Sequence, residues 1–432
     1  MRLTLDMTQM LRMLPRRLSL LWFLVVLCFS QNVLADAYGD ARAELIAAYQ
    51  AQDFETMQSA AKKALLARPN YPRALFNLAY AQVLAGESGG ALDTLNFLAD
   101  MAVEFGVVAI DDFAPLRTNS GWPAYQERVE QIIKPVGEAT VAFNVLASNY
   151  IPEGIAVDDE GRLLLGSIRY GRILRASKSI ELLSDARDAG HWSVFGMRLD
   201  GSGGLWFASA GVPQFILAED EKPSRSGLFR LDLASNEIDQ RAELPAAEDS
   251  QVLGDLIIAD DDTIYTTDSL TGVLYRYSVS DKEFSVVVDS GTFVSPQGLV
   301  LDVGGKHLFV ADYVGGLHCV RLADGRVERI TSPDSINTYG IDGLYRHGNE
   351  LVAIQNGIQP HRVVALALSD DGLSITGSRT LARNLPEFDE PTLGTIVGDS
   401  FYFVANSHWN SFDRNNNLPD GLSNPIILKL PL

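Results

Sequence analysis

The stretch Pro152-Glu153-Gly154-Ile155-Ala156-Val157-Asp158-Asp159-Glu160-Gly161-Arg162-Leu163-Leu164-Leu165 decides the fold. It reads as a short apolar strand, a tight Asp/Gly turn and a second apolar strand. A further turn then leads into Gly171-Arg172-Ile173-Leu174-Arg175. The phrase returns as Phe195-Gly196-Met197 with Asp200, Gly204 and Trp206, and as Gly254-Asp255-Leu256 with Asp260 and Tyr265. It comes again as Pro296-Gln297-Gly298-Leu299, Ile341-Asp342-Gly343-Leu344 and Leu393-Gly394-Thr395. Copies of this length fit four-stranded blades around a channel, because a blade buries both its faces only against a neighbour on each side. The expectation is a mainly β protein, with a six-bladed β-propeller over residues 139–432. Two strands are left over, Ala139 to Leu146 and Pro425 to Leu432. Pairing them in one blade would close the ring and remove its exposed edges.

Upstream the period changes. From Tyr38 to Ile133 apolar residues recur at helical spacing, with Asp53 and Pro72 as helix starts and Gly86 and Gly106 as breaks. This predicts a small all-α helical-repeat domain over residues 38–133. Leu75, Leu78, Ala79, Gly86 and Ala91 fall where a 34-residue helix-turn-helix unit wants large, large, small, Gly and small, so the segment resembles a pair of tetratricopeptide repeats. Such units need roughly three copies to stand alone, so the helices should lean on the propeller or on a protein partner. A plain packed helical cap is the alternative.

The first 35 residues read as a signal peptide. Arg12, Arg16 and Arg17 precede the apolar run Leu18 to Phe29, and Val33-Leu34-Ala35 supplies the small-residue cleavage pattern. The run is shorter than the roughly 20 residues a bilayer demands. The mature chain is therefore expected in the periplasm or outside the cell, with no membrane span after cleavage. Processing would remove Cys28 and leave Cys319 alone, which excludes an internal disulfide and dithiol redox chemistry. The full chain carries 35 basic and 55 acidic residues, a formal charge of −20. That field repels nucleic acid and anionic lipid and favours cations near acidic clefts.

The residue opening each inner strand and the residue ending the second strand should meet at one mouth of the channel. The inner ring would then hold Glu153, Asp255, Gln297 and Asp342, and the outer ring Asp268, Asp312, Asn356 and Asn406. Converging carboxylates and amides suit a hard divalent cation such as calcium. Taken one at a time, an Asp or Asn beside a turn is as well explained as a backbone cap.

Over residues 140–432 the phrases Pro152-Glu153-Gly154, Ser295-Pro296-Gln297-Gly298 and Ile341-Asp342-Gly343 resemble the metal-holding loops of the senescence-marker-protein/gluconolactonase superfamily, which includes regucalcin and the paraoxonases. The resemblance implies a calcium-dependent lactonase or esterase in which Glu153 and Asp342 match the family's ligands. Asp342 also matches the family's water-activating carboxylate. The family places Asn in blades three and four, where this chain has Gly254, followed by Asp255, and Gln297. A paraoxonase-like His in blade two is replaced by Phe195.

Other motifs carry less. His191 reads as an ordinary loop residue, and Gly86-Glu87-Ser88-Gly89-Gly90 as a turn between helices instead of a nucleophile elbow, which needs a strand before it. Asp413-Arg414-Asn415-Asn416-Asn417 starts like a calcium loop but has Leu418 at the sixth place, where Gly belongs; a polar lid with His408 and Trp409 is the better reading. Two functions remain open. One is an exported metal-dependent hydrolase of a lactone or related ester. The other is a non-catalytic propeller that binds a small molecule at the channel mouth or a protein through its helices.

Overall fold

The computed structural model describes residues 37–217 and 224–432; the signal-peptide reading of residues 1–35 lies outside them. Five α-helices come first: α1 (Ala37–Gln50), α2 (Phe54–Ala67), α3 (Pro72–Leu84), α4 (Ser88–Asp100) and α5 (Trp122–Ile132). The helix boundaries follow the expected local chemistry. Asp53 caps α2 through a 3.0 Å bond from the Thr56 amide, and Pro72 opens α3, where its missing N–H costs nothing. Gly86 ends the α3 turn at φ +81°, a left-handed conformation that glycine adopts without strain. The Gly86–Gly90 stretch thus joins two helices, and Ser88 is a helix start with no nucleophile geometry.

Six four-stranded antiparallel sheets follow, each one blade. Their inner strands are Pro152–Val157, Ser193–Leu199, Leu253–Asp260, Pro296–Leu301, Ile341–His347 and Gly394–Val397. Blade six is completed across the ends of the propeller. Thr140–Asn144 forms its outer strand and pairs with Ile426–Pro431, Val141 opposite Leu428 and Phe143 opposite Ile427. Large side chains fill the space between blades: Leu164, Phe207 and Phe229 on one side of the ring, Ile354, Phe401 and Phe403 on another, all fully buried.

The helices dock on blade five and its neighbours. Arg362 is buried, donating from Nε to Gln355 Oε1 at 2.7 Å and from Nη1 to the Met101 carbonyl at 2.9 Å. Tyr339 Oη donates to the Pro69 carbonyl at 2.7 Å, its ring 5.0 Å from that of Tyr71, and the Glu104 amide donates to Gln359 O at 2.9 Å. Few helices bury little surface alone, and these contacts supply the rest.

Candidate ligand site at the channel mouth

The inner strands share an irregularity that sets which side chain faces the channel. The ladder register shifts after Pro152, Val194, Leu253, Pro296 and Ile341, leaving a bulged residue pair in each. The pairs are Glu153-Gly154, Phe195-Gly196, Gly254-Asp255, Gln297-Gly298 and Asp342-Gly343. Alternation sends the two members opposite ways. The second member lies against a neighbouring blade: a Cβ on Gly154 would sit 2.0 Å from Phe195 O, and one on Gly298 would sit 2.4 Å from the Leu344 amide. That contact is why glycine recurs there. The first member is left to the channel.

This geometry separates the four candidate ligands. Glu153 and Asp342 hold channel positions, joined by Glu390, which precedes the inner strand of blade six. Gln297 is at its own channel position, its amide bonded to Ser295 Oγ at 3.0 Å. Asp255 occupies the place that is glycine in the other blades, so it faces blade two. There the bare α-carbon of Gly196 makes room for its carboxyl, Arg198 Nη2 pairs with Asp255 Oδ2 at 3.1 Å, and Oδ1 accepts from the Leu256 amide at 2.9 Å. Asp255 is thus engaged by Arg198 and the Leu256 amide, and the first position of the blade-three pair is Gly254, which carries no side-chain donor. The outer ring also divides. Asp312 accepts from the amides of Val294, Ser295, Val314 and Gly315, and Asp268 from those of Val252, Leu270 and Thr271. Both are backbone caps. Asn406 is held by Ile426 N, Asn424 O and the rim of its loop, while Asn356 alone turns to the site, donating to Asp342 Oδ2 at 2.6 Å.

The electrostatics of the mouth follow from burial of like charges. Asp342 is half-buried. Burial pushes its pKa up to about 7 against the Asn356 bond, and the charge of Asp255 adds to the rise. Glu390 is also raised to about 7, first by burial and then by Asp342 and Asp389. Glu153 is driven well above the carboxylate range by burial and by Asp342, although Trp409 Nε1 donates to its Oε2 at 2.7 Å. The Tyr313 hydroxyl is raised by burial and by the same two acids, Asp342 and Glu390.

Among the described residues no group of three or more His, Cys, Asp and Glu side chains stands ready to hold a metal ion. With Asp255 committed to Arg198, glycine at the blade-three position and Glu153 bonded to an indole, the donor set does not fit a metal as arranged. No chemical step is routed through one.

Sequence reasoning missed Glu390. It lies outside the repeated phrase, but a signal exists in the backbone, where Glu390 is held at φ +60°, costly for a residue with a Cβ. His191 is a core residue: 2% exposed, bonded to Ser184 Oγ and the Trp192 carbonyl, with its pKa lowered to about 4 by burial. Asp413 caps its own turn through the amides of Asn415 and Asn417, both at 2.8 Å.

No protein-family model and no curated protein matches this sequence. Solved structures do share its fold. An aldose sugar dehydrogenase from Streptomyces coelicolor, solved with PQQ bound, aligns at 14% identity over 69% of this chain and 100% of its own, with a TM-score of 0.47. Regucalcin from Agrobacterium tumefaciens, a calcium-binding protein, aligns at 15% identity over 67% of this chain and 93% of its own, TM-score 0.46. Virginiamycin B lyase from Staphylococcus aureus, solved with quinupristin, aligns at 13% identity over 68% of this chain and 100% of its own, TM-score 0.43. These three proteins differ in chemistry, so nothing beyond architecture is taken from them. The chain is a six-bladed β-propeller with an N-terminal helical region, and its structural neighbours include the regucalcin-like propellers that its ligand-loop phrases resemble.

Proposed function

We propose that this is an exported hydrolase of a small ester or lactone, working by carboxyl acid–base chemistry at the channel mouth. The observation that carries the reading is Asp342: fixed by Asn356 at 2.6 Å, only half-buried, and with a pKa raised to about 7. A general base works best when its pKa lies near the working pH, and perturbed carboxyls in a cleft mark candidate sites. In this scheme ionised Asp342 takes a proton from water as the water oxygen bonds to the acyl carbon. The bond to the alkoxy oxygen then breaks, and Asp342 returns the proton to that oxygen. Protonated Glu390 donates a hydrogen bond to the carbonyl oxygen as negative charge develops there. The two acids share one field, so the pH profile reports the pair and not either residue.

The test is turnover of a panel of lactones and aryl esters by the mature protein, with Asp342→Asn as the control. Hydrolysis that disappears in the variant supports the reading; a wild-type protein inert on the whole panel between pH 6 and 9, as judged against about 10²-fold general-base effects, ends it. A second reading, ligand binding without turnover, is favoured by Phe195 and Gly254 at channel positions and by the indole seated on Glu153. Ligand-dependent thermal stabilisation without product would establish it.

A further inference from the structure

We infer that the segment from Ser407 to Asn424 is a latch that closes the channel mouth by occupying the carboxylates a ligand would use, with Trp409 as the residue a ligand must displace. The inference rests on the channel mouth being a ligand site. Two bonds hold the latch: Trp409 Nε1 to Glu153 Oε2 at 2.7 Å, and the Asn410 amide to Glu390 Oε2 at 2.9 Å. Neighbouring donors thus reach acids carried by two different blades. Each of those oxygens has directional acceptor capacity that a ligand cannot share while the donor stays in place.

The segment is built to present this tip. Its base is tied where the His408 ring meets Ser423 O at 3.0 Å, and the chain enters the tip through His408 at φ +63°. Its far side is anchored to blade one, where Arg169 Nη1 donates to the Asn416 and Gln214 carbonyls, both at 3.1 Å. Between these anchors the Asp413 carboxylate closes the turn on the amides of Asn415 and Asn417. The tip itself is aromatic. The Trp409 ring lies 6.4 Å from Phe195 and 6.4 Å from Phe412, and Arg169 stands 5.8 Å over the Phe412 ring. This gives a reason for Phe195 at a channel position: it is an apolar seat for the indole. A ligand that replaces the indole N–H on Glu153 must bring its own donor, which selects molecules carrying a hydroxyl, an amine or an ammonium group over bare esters.

The test reads access to Glu153 without needing the natural ligand. Wild-type protein and Trp409→Phe, which keeps a ring and loses the N–H, are labelled with a water-soluble carbodiimide and glycinamide, and Glu153 modification is followed by mass spectrometry. Trp409→Phe should label Glu153 about tenfold faster, the upper end of what losing one hydrogen bond between neutral groups costs, and amides 409–417 should exchange faster. Glu153→Gln keeps an oxygen acceptor and should leave that exchange near wild type. Should Trp409→Phe fail to fold, Arg169→Ala frees the far anchor and should raise Glu153 labelling in the same way. Unchanged labelling and exchange in the folded variant would overturn the latch. Faster labelling in a protein that hydrolyses no ester leaves the latch standing and removes the hydrolase reading, so the two fail separately.

Discussion

Acids of the same kind sit at two places in the propeller and behave in opposite ways. At the turns between strands, Asp200 is bonded to Arg230 Nε at 2.6 Å and to the Gly204 and Ser202 amides at 2.8 Å, and these bonds hold its carboxyl below the usual range despite some burial. Asp302 behaves likewise beside the His307 and Lys306 amides. At the channel mouth Asp342 and Glu390 rise to about 7, because burial, helped by Asp255 for Asp342 and by Asp342 and Asp389 for Glu390, outweighs the single donor that each receives. Donor supply, not residue type, decides whether an acid in this fold has its pKa lowered or raised.

The largest expected effect sharpens that contrast on the chemical side. Asp342→Asn should lower ester or lactone turnover by about 10²- to 10⁴-fold, the usual worth of a general base, and Asp302→Asn should leave turnover within about twofold. A steady-state assay of both variants checks this, and equal losses would erase the distinction.

On the scaffold side, Asp312→Ala strips an acceptor from four amides. Unpaired buried groups cost about 1–3 kcal/mol each, so a loss of several kcal/mol in denaturant unfolding is expected, with turnover per folded molecule unchanged.

The third effect is a pH dependence with a definite sign. Asp342 and Glu390 bind protons more tightly in the folded state than in the unfolded chain, so between about pH 4 and pH 7 the native state holds more protons and stability falls as pH rises. Melting temperatures should therefore decline across that window, and the decline should flatten in Asp342→Asn/Glu390→Gln. A wild-type profile that rises from pH 5 to 7 would show that the buried histidines dominate instead, His191 above all, whose pKa burial lowers to about 4.

A smaller effect concerns the vacant donor position in blade three. Gly254 has ordinary backbone angles, and a Cβ there meets nothing nearer than 3.7 Å, so Gly254→Asn is sterically admissible. It would restore the amide that the ligand-loop resemblance implies. Millimolar calcium should raise the melting temperature of this variant more than that of the wild type, as expected of weak oxygen sites with dissociation constants of about 10⁻⁴ to 10⁻³ M. The smallest effect is expected at Asp413→Ala, whose turn touches neither carboxylate cluster; turnover and calcium response should both stay near wild type.

Periodicity made the propeller legible: the repeated strand–turn phrase can bury its faces in only a few ways, and the leftover strands at 139–146 and 425–432 had one obvious partnership. The helix starts at Asp53 and Pro72 and the break at Gly86 were readable because capping is local chemistry. Glu153 and Asp342 could be picked out on the same ground, since each precedes the Gly of its phrase. What sequence could not decide was direction. Asp255 follows Gly254 by one residue, and in a bulged strand one residue is the difference between facing the channel and facing a neighbouring blade. Asp268 and Asp312 looked like channel acids until the amides around them were placed. Glu390 and Trp409 come from segments outside the repeat, and only the closed ring brings them to residues more than 200 positions away, such as Glu153. Sequence fixes strand order and local caps because these depend on neighbours along the chain. The composition of the mouth, and the raised pKa values of its acids, depend on neighbours across the axis, which only tertiary structure supplies.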